Sequence, residues 1–327
     1  MMATVIVTGG AGFIGSHTCK ALAAAGHLPV VVDTLEFGHA DAVKWGPLIE
    51  ADIADREAVG SAIATYRPEA IVHFAAYAYV GESVQDPAKY YRNNVAGTLA
   101  LLETCRDRGV SRTIFSSSCA TYGVPEALPI VEPTPQNPVN PYGRTKLIAE
   151  HMLREFGAAY GSRFAALRYF NAAGADPDGE LAERHDPETH LLPRALMAAA
   201  GTIAELDVFG TDYPTPDGTC IRDYIHVSDL AVAHVAALTD LLAGGESFAA
   251  NLGTGEGTSV RQILAAIETV TGRAVPVRYG PRRAGDPPSL YADASFARKR
   301  LGFVPRWSAI ETIVRTAAPT FGLSEPQ

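Results

Sequence analysis

The segment Thr8-Gly9-Gly10-Ala11-Gly12-Phe13-Ile14-Gly15 carries the strongest structural signal in this chain of 327 residues. It follows the short apolar run Thr4–Thr8 and precedes a helical pattern. Glycines at positions 9, 12 and 15 allow a tight turn, an approach of backbone to phosphate, and close helix–strand packing. N–H groups at the helix start can then bind phosphate. An ordinary glycine-rich turn is the alternative, but the position between strand and helix predicts a dinucleotide site.

The regions on both sides of this segment alternate between short apolar runs and helical patterns. The runs are rich in Val and Ile and apolar on both faces, which is typical of buried parallel strands. They are Thr4–Thr8, Leu28–Val32, Ala70–Ala75, Thr113–Ser117 and Phe164–Phe170. We therefore predict an α/β fold with a Rossmann-like, doubly wound parallel sheet.

After Asn171 the composition shifts towards Pro, Gly and Asp, as in loops. We predict an NAD-binding domain at residues 1–170. Residues 171–327 should form mainly a smaller, interleaved α+β substrate lobe. Within it, residues 225–255 should return to the Rossmann sheet.

Composition excludes several classes of function. The net charge is −9 without a basic cluster, so nucleic acid is not an expected partner. No window is apolar for the roughly 18 residues that a membrane span needs, and we expect no membrane partner. The N-terminus has no signal-peptide pattern. The four cysteines are scattered without a Cys-x-x-Cys pair, which favours reduced thiols in the cytoplasm and argues against a zinc site.

Two aspartates follow predicted strands near the glycine-rich turn. Asp33 ends the second strand, where a carboxylate accepts hydrogen bonds from ribose hydroxyls and repels a 2′-phosphate, so NAD is favoured over NADP. Asp52 and Ile53 end a third short strand, a usual place for an adenine contact. Asp52 could equally cap a helix.

Tyr142 and Lys146 form a Tyr-x-x-x-Lys element at a predicted helix start, which places both side chains on one face. A free phenol titrates near 10, and we expect the ammonium and a nicotinamide charge to lower that pKa. A solvated helix face is the alternative. The run Ser116-Ser117-Ser118 at a strand end favours an active site, because ligands bind at strand ends of open α/β sheets. His73 and His226 are more typical of satisfied core or loop histidines than of ligands, and we expect no metal site.

Several further motifs give the chain a resemblance that extends over almost its whole length. They are His73-Phe74-Ala75-Ala76, Val80-Gly81-Glu82-Ser83, Asn93-Asn94-Val95, Pro141–Lys146, Leu167–Asn171, Asp212-Tyr213-Pro214-Thr215, Asp217–Val227 and Arg282-Arg283-x-Gly285-Asp286. With the glycine-rich turn, they make the chain resemble the extended short-chain dehydrogenase/reductase superfamily and, within it, the UDP-glucose 4-epimerase family.

The resemblance implies roles for particular residues. The implied catalytic residues are Ser118, Tyr142 and Lys146. The implied NAD contacts are Gly9, Gly12, Phe13, Ile14, Gly15, Asp33, Asp52, Ile53, Phe74, Ala75, Ala76, Asn93, Ser118, Tyr142, Lys146 and Phe170. The implied UDP-sugar contacts are Asn171, His190, Leu191, Val208, Phe209, Arg222, Arg283, Asp286 and Leu290. Family members are usually homodimers paired through helices of the cofactor domain, and we expect the same here.

Three positions depart from the family pattern. Ala78 stands where some members have a Lys that contacts the cofactor. His190 replaces an Asn beside the substrate phosphates and can still donate a hydrogen bond. Leu290 replaces a Tyr that closes the sugar pocket in some members, so an N-acetylated sugar is a possible second substrate unless Leu290 packs away and the pocket stays closed.

The expected reaction is reversible C4 epimerisation of UDP-glucose and UDP-galactose through a transient 4-keto sugar, with NAD bound throughout. Epimerases of UDP-N-acetylglucosamine or of UDP-xylose and UDP-arabinose are the alternatives. A 4,6-dehydratase is disfavoured, because Cys119-Ala120 stand where similar dehydratases have an Asp-Glu pair. A binding protein without turnover is disfavoured by the intact Ser, Tyr and Lys set.

Overall fold

The computed structural model describes residues 2–283 and 286–324, so Gly285 of the Arg-Arg-x-Gly-Asp motif lies outside the described residues. The strands are β1 (Thr4–Thr8), β2 (Leu28–Asp33), β3 (Leu48–Glu50), β4 (Ala70–His73), β5 (Arg112–Ser116), β6 (Arg163–Arg168), β7 (Asn171–Ala173), β8 (Leu206–Phe209), β9 (Ile221–Arg222), β10 (Tyr224–His226), β11 (Phe248–Asn251), β12 (Thr258–Ser259), β13 (Val277–Gly280) and β14 (Ser289–Leu290). The α-helices are α1 (Phe13–Ala24), α2 (Arg56–Tyr66), α3 (Val80–Gln85), α4 (Pro87–Tyr90), α5 (Thr98–Asp107), α6 (Pro141–Tyr160), α7 (Leu191–Ala200), α8 (Val227–Leu242), α9 (Val260–Thr271), α10 (Ser295–Leu301) and α11 (Ile310–Ala317).

The main sheet is parallel, with strand order β11-β6-β5-β4-β1-β2-β3. Its strands are buried on both sides, which explains why their sequences are continuous apolar runs. One face packs against α1 and α8, and the other packs against α2, α5 and α6. The predicted doubly wound α/β fold is confirmed.

The order of the strands reverses beside β1. The chain moves outward from β1 to β2 and β3, then crosses to β4 on the other side. This reversal opens a crevice at the carboxyl ends of β1 and β4, which is where open α/β sheets bind ligands. The glycine-rich turn lies directly at this point.

Most of the chain after β6 forms small sheets with their own apolar core. β7 pairs with β10, β8 pairs with β13, and β9 lies between β12 and β14. Helices α7, α9 and α11 cover these strands. In contrast, α8 and β11 belong to the main sheet, since β11 pairs in parallel with β6. The division into a cofactor domain and a substrate lobe stays a proposal.

Within the residues that the structure describes, no helix combines the length and the apolar character that crossing a membrane requires.

Candidate active site

The glycine-rich turn joins β1 to α1 with very little space around its backbone. A Cβ at Gly15 would lie 2.1 Å from the carbonyl oxygen of Gly9. Gly9 has a φ of +71° and lies against the end of β4, where an added Cβ would be 2.6 Å from the Ala75 nitrogen. Gly12, at the N-cap of α1, meets only one atom, at 3.4 Å. Two glycines therefore serve packing, while Gly12 leaves open backbone at the helix start.

Asp33 ties this turn to the end of β2. One carboxylate oxygen accepts from the Ala11 N–H at 2.9 Å, and the other accepts from the Leu35 N–H at 2.9 Å. Each oxygen can still accept a further hydrogen bond. A cavity of about 180 Å³ lies beside the turn, and Gly12, Phe13 and Phe37 are among its lining residues. The open glycine backbone suits the pyrophosphate of a dinucleotide, and the carboxylate suits a free ribose hydroxyl pair.

The other predicted NAD contacts surround the same crevice. The N–H groups of Phe74 and Ala75 both donate to the carbonyl of Thr8, so the loop that continues to Ala76 runs along the turn. Ile53 is buried, whereas Asp52 is exposed and accepts from the Ala54 N–H at 2.7 Å. Asp52 does not cap a helix, because the N-cap of α2 is Asp55, which accepts from the Glu57 and Ala58 N–H groups.

Asn93 and Asn94 lie in a π-helical segment, Tyr91–Gly97, inserted between α4 and α5. Such segments occur often at functional sites. Asn93 is half-buried, and its amide donates to Asn94 at 2.9 Å. Asn94 is buried and donates to the Tyr77 carbonyl and to Thr145. The sequence analysis named Asn94 only as part of the motif Asn93-Asn94-Val95. In the structure, Asn94 links the loop after β4 to the helix that carries Tyr142.

The start of α6 packs directly on the turn that follows Ser118. Asn140 caps the helix by accepting from the Gly143 N–H at 2.8 Å. A Cβ on Gly143 would lie 2.5 Å from the Ala120 carbonyl, so only glycine allows this approach. Ser118 itself accepts from the Ala120 N–H at 3.1 Å. This packing brings the Ser118 hydroxyl within hydrogen-bonding reach of the Tyr142 phenol.

Lys146 lies one turn further along α6 and is buried. Its ammonium donates to the Ser116 carbonyl at 2.8 Å and lies 5.0 Å from the centre of the Phe115 ring. The distance from Nζ to the centre of the Tyr142 ring is 5.9 Å. The predicted catalytic residues Ser118, Tyr142 and Lys146 are thus brought together at the carboxyl edge of the sheet.

Burial dominates the titration of the two ionisable catalytic side chains. It raises the pKa of Tyr142, and the hydrogen bond with Ser118 opposes that rise. Burial also lowers the pKa of Lys146 to about 7. The sequence argument expected the ammonium and a nicotinamide charge together to lower the phenol pKa, whereas the protein's own groups shift the pKa of Tyr142 upward. Additional positive charge is needed to stabilise the phenolate at neutral pH, and an oxidised nicotinamide ring carries one.

The three consecutive serines have separate roles. Ser116 pairs with the Tyr169 hydroxyl, and Ser117 donates to Glu150 at 2.6 Å. These bonds hold the strand end and leave Ser118 to face Tyr142. Glu150 lies two turns after Tyr142 on α6 and forms a buried ion pair with Arg168. The sequence analysis missed this pair, although the spacing 142, 146, 150 places Glu150 on the catalytic face of the helix.

The predicted nucleotide-sugar residues other than His190 and Leu191 lie on β7, β8, β9, β14 and the loop that precedes β14. Arg222 is 3.4 Å from Asp286, and the Arg283 guanidinium lies 4.1 Å from the centre of the Phe209 ring. Val208 beside it is buried. The Asn171 amide donates to the carbonyl of Asp223 at 3.1 Å. The structure therefore places Arg283 against an aromatic ring and Arg222 beside Asp286, and guanidinium groups of this kind suit a diphosphate.

Leu290 connects the substrate lobe to the catalytic strand end. It pairs with Arg222 across β9 and β14, and it packs on the apolar cluster formed by Cys119, Tyr122 and Ile130. Phe170, a predicted NAD contact, packs on the same cluster. Leu290 therefore packs at the boundary between the catalytic turn and the arginines of the substrate lobe.

His190 is the N-cap residue of α7, which begins at Leu191. Its Nδ1 atom lies 2.7 Å from Glu183. Burial lowers the pKa of His190, but hydrogen bonds with Glu183 and Glu188 outweigh this and raise it to about 10. His190, the predicted phosphate contact, therefore has two acidic partners that the sequence analysis missed.

The histidines His73 and His226 have hydrogen-bond partners inside the protein, as the sequence predicted. Thr8 and Thr98 are the partners of His73, and Ser228 and Thr316 are the partners of His226.

The NAD dependent epimerase/dehydratase family model matches residues 5–253. The chain belongs to this family. A curated member, "UDP-glucose 4-epimerase" of Rhizobium meliloti, is 54% identical over 303 residues, which cover 93% of this chain and 92% of that protein.

Two solved epimerases extend the similarity to three dimensions. The UDP-glucose 4-epimerase from Brucella ovis, solved with NAD, has a TM-score of 0.98 and 61% identity, and covers 99% of this chain and 100% of its own. The enzyme from Bifidobacterium longum, solved with NAD⁺ and UDP, has a TM-score of 0.91 and 38% identity, and covers 96% and 97%. The chain therefore shares its whole fold with epimerases that were solved with NAD.

Proposed function

We propose that the chain is a UDP-glucose 4-epimerase that interconverts UDP-glucose and UDP-galactose. The observation that carries the proposal is the convergence of Ser118, Tyr142 and Lys146 beside the glycine-rich turn. The nucleotide-sugar residues lie across the same crevice, joined to the catalytic turn through Leu290. Relatives over nearly the full chain carry the same activity in their names.

The chain's own residues supply binding and proton transfer. Gly12, Asp33, Asn93 and Lys146 would hold NAD. When bound, NAD supplies the acceptor, and on return the donor, of the electron pair removed from C4 of the sugar. Tyr142 as phenolate takes the C4 hydroxyl proton, and Ser118 orients the hydroxyl.

The 4-keto sugar stays tethered by its UDP and turns its other face to the same residues. Tyr142 then returns the proton, and the inverted alcohol results. Because the overall reaction has no net change in oxidation state, the cofactor stays bound between turnovers. Arg222 and Arg283 hold the diphosphate, because a guanidinium grips two oxygens at once.

A 4,6-dehydratase would need an acid and a base after Ser118. The residue there is Cys119, which is buried, and burial raises the pKa of its thiol well above the ordinary value. Ala120 follows and has no ionisable group. These side chains do not supply proton transfer at C5 and C6, which supports the epimerase over the dehydratase.

The test is an incubation of purified protein with UDP-galactose and no added NAD, with products separated by chromatography. The expected product is UDP-glucose at equilibrium with substrate. UDP-xylose and UDP-N-acetylgalactosamine serve as comparison substrates and should turn over more slowly. Turnover of UDP-xylose or UDP-N-acetylgalactosamine without turnover of UDP-galactose would contradict the proposal. Activity that depends on added NADP would contradict it as well.

The proposal includes a homodimer paired through helices of the cofactor domain. Apolar side chains are exposed on neighbouring helices there: Tyr91, in the π-helical segment, is 37% exposed, and Leu99, on α5, is 39% exposed. Leu147 and Ile148 on the adjacent α6 are half-buried. Light scattering should give twice the chain mass. Leu99→Glu should shift this mass towards the monomer, whereas Val304→Glu, at an exposed position after α10, should leave it unchanged.

We also propose that the protein acts in the cytoplasm. Cys19, Cys105, Cys119 and Cys220 are all free thiols. Unpaired cysteines are typical of a reducing compartment. Fractionation of cells that express the protein would test this.

A further inference from the structure

Four side chains of the segment before α7 converge on one point. They are Glu183, His185, Glu188 and His190, here called the His/Glu cluster. One potential ligand atom from each lies within 4.8 Å of all the others. The proposed epimerase chemistry assigns no role to Glu183, His185 or Glu188.

Several distances within the His/Glu cluster are close to those between the ligands of a tetrahedral ion. His185 Nδ1 lies 3.1 Å from Glu183 Oε1 and 3.6 Å from Glu188 Oε2, and His190 Nδ1 lies 3.4 Å from the other Glu188 oxygen, Oε1. Zinc bonds of about 2.0–2.2 Å place neighbouring ligand atoms about 3.3–3.5 Å apart. The Glu183 to His190 distance is 2.7 Å, so this pair must open by roughly 0.6 Å to fit the same geometry.

A second observation concerns the His185 ring itself. Its Nδ1 atom is shielded from solvent and makes no hydrogen bond of regular geometry, although carboxylate oxygens of Glu183 and Glu188 lie 3.1 and 3.6 Å away. A buried nitrogen with poor hydrogen-bond geometry is stabilised less than a well-paired one. A cation between the carboxylates would accept the lone pair of this nitrogen. The side chains of Glu183 and Glu188 are only 6% and 9% exposed, so the ligands are already partly desolvated.

We propose that the His/Glu cluster is a zinc-binding site with two imidazole nitrogens and two carboxylate oxygens as ligands. The histidines favour zinc over calcium or magnesium, which prefer all-oxygen sites. Two carboxylates balance the charge of the ion. The sequence analysis predicts no metal site, because the four residues follow no familiar metal-ligand spacing. The structure unites them by folding residues 183–190 back on themselves.

The position of the site indicates a structural role. The His185 ring lies edge-on to Phe13 of the glycine-rich turn, with centroids 6.4 Å apart, and 6.0 Å from the Tyr79 ring. His190 caps α7. A bound ion would therefore fasten the segment between the cofactor turn and the first helix of the substrate lobe. It takes no part in electron or proton transfer.

The experiment uses full-length protein with any affinity tag removed. After dialysis against zinc chloride and then against metal-free buffer, elemental analysis should find one zinc ion per chain. X-ray absorption at the zinc edge should show about four nitrogen or oxygen ligands at roughly 2.0–2.2 Å, together with outer-shell scattering from two imidazole rings. His185→Gln and Glu183→Gln should each lose at least nine tenths of the zinc. Asp178→Asn, in the neighbouring acidic group that Lys20 neutralises, should keep it.

Zinc below one tenth of an ion per chain after this dialysis would overturn the proposal. So would equal zinc content in wild type and His185→Gln. A chelator should lower the melting temperature of wild type but not of His185→Gln, and equal shifts in both would also overturn it. UDP-galactose turnover is measured in parallel. A zinc-free protein with full turnover overturns the zinc site alone, and a zinc-loaded protein without turnover overturns only the proposed function.

Discussion

Arg168→Met should destabilise the protein through the charge that it leaves behind. In wild type, Arg168 holds both oxygens of Glu150, at 2.8 Å from Nε and 2.6 Å from Nη2. The two side chains are 3% and 0% exposed. The loss of one partner of such a pair costs about 3–5 kcal/mol, because the other charge stays buried without compensation. Arg154 still contacts Glu150 at 3.0 Å but is 44% exposed, so it compensates little.

The pH dependence gives this prediction a sign. Burial raises the pKa of Glu150, but Arg168 and Ser117 outweigh it and hold the pKa below the ordinary value. The ion pair therefore stabilises the fold above the unfolded pKa, near 4.3, and that stability is lost as the pH falls. In Arg168→Met, burial acts with less opposition and the folded pKa rises. The variant's stability deficit should then be larger at pH 8 than at pH 5.

Urea unfolding followed by circular dichroism measures the loss at both pH values. Arg154→Met is the matched surface control and should cost less than about 1 kcal/mol. The double variant Arg168→Met/Glu150→Leu should recover most of the stability, since no buried charge remains. A loss below about 1 kcal/mol in Arg168→Met, or a double variant no more stable than the single one, would refute this reasoning.

Three further substitutions test other parts of the site. Gly12→Ala should lose bound NAD but, when both proteins are compared free of NAD, keep the wild-type melting temperature. Gly15→Ala should also lose stability in this comparison, because its Cβ meets backbone at 2.1 Å; equal melting temperatures of the two variants would argue against this. Ser118→Ala should move the rising limb of the pH–rate profile to higher pH, because its hydrogen bond lowers the pKa of Tyr142; an unchanged limb counts against that bond. Leu290→Tyr should reduce kcat/KM for UDP-N-acetylgalactosamine more than for UDP-galactose, by roughly tenfold, and an equal reduction for both would exclude Leu290 as a gate.

The sequence predicted the fold well because the relevant signals are local. A buried parallel strand must be apolar on both faces, and the glycine-rich turn must follow the first strand. The catalytic residues also lie in local patterns, such as the four-residue spacing from Tyr142 to Lys146. Their roles rest on resemblance and stay predictions, although the structure brings them together.

Long-range pairings could not be predicted in the same way. Glu150 lies on α6 and Arg168 lies on β6. The residues next to either one in the sequence do not indicate that the two side chains form an ion pair. The π-helical turn that aims Asn94 at Thr145 has no known sequence pattern. The direction of the Tyr142 pKa shift depended on burial, which spacing alone does not give. The His/Glu cluster forms only because an irregular segment folds back on itself.

The central claim, that Tyr142 is the general base, is tested most directly by comparing wild type with Tyr142→Phe. Both purified proteins are given UDP-galactose without added NAD, and turnover is measured. Circular dichroism checks that both fold alike, and nicotinamide released on denaturation checks that both hold cofactor. The proposed mechanism predicts that wild type forms UDP-glucose, while Tyr142→Phe retains its NAD and loses roughly two to four orders of magnitude in rate. A Tyr142→Phe variant with more than a tenth of the wild-type rate would contradict it.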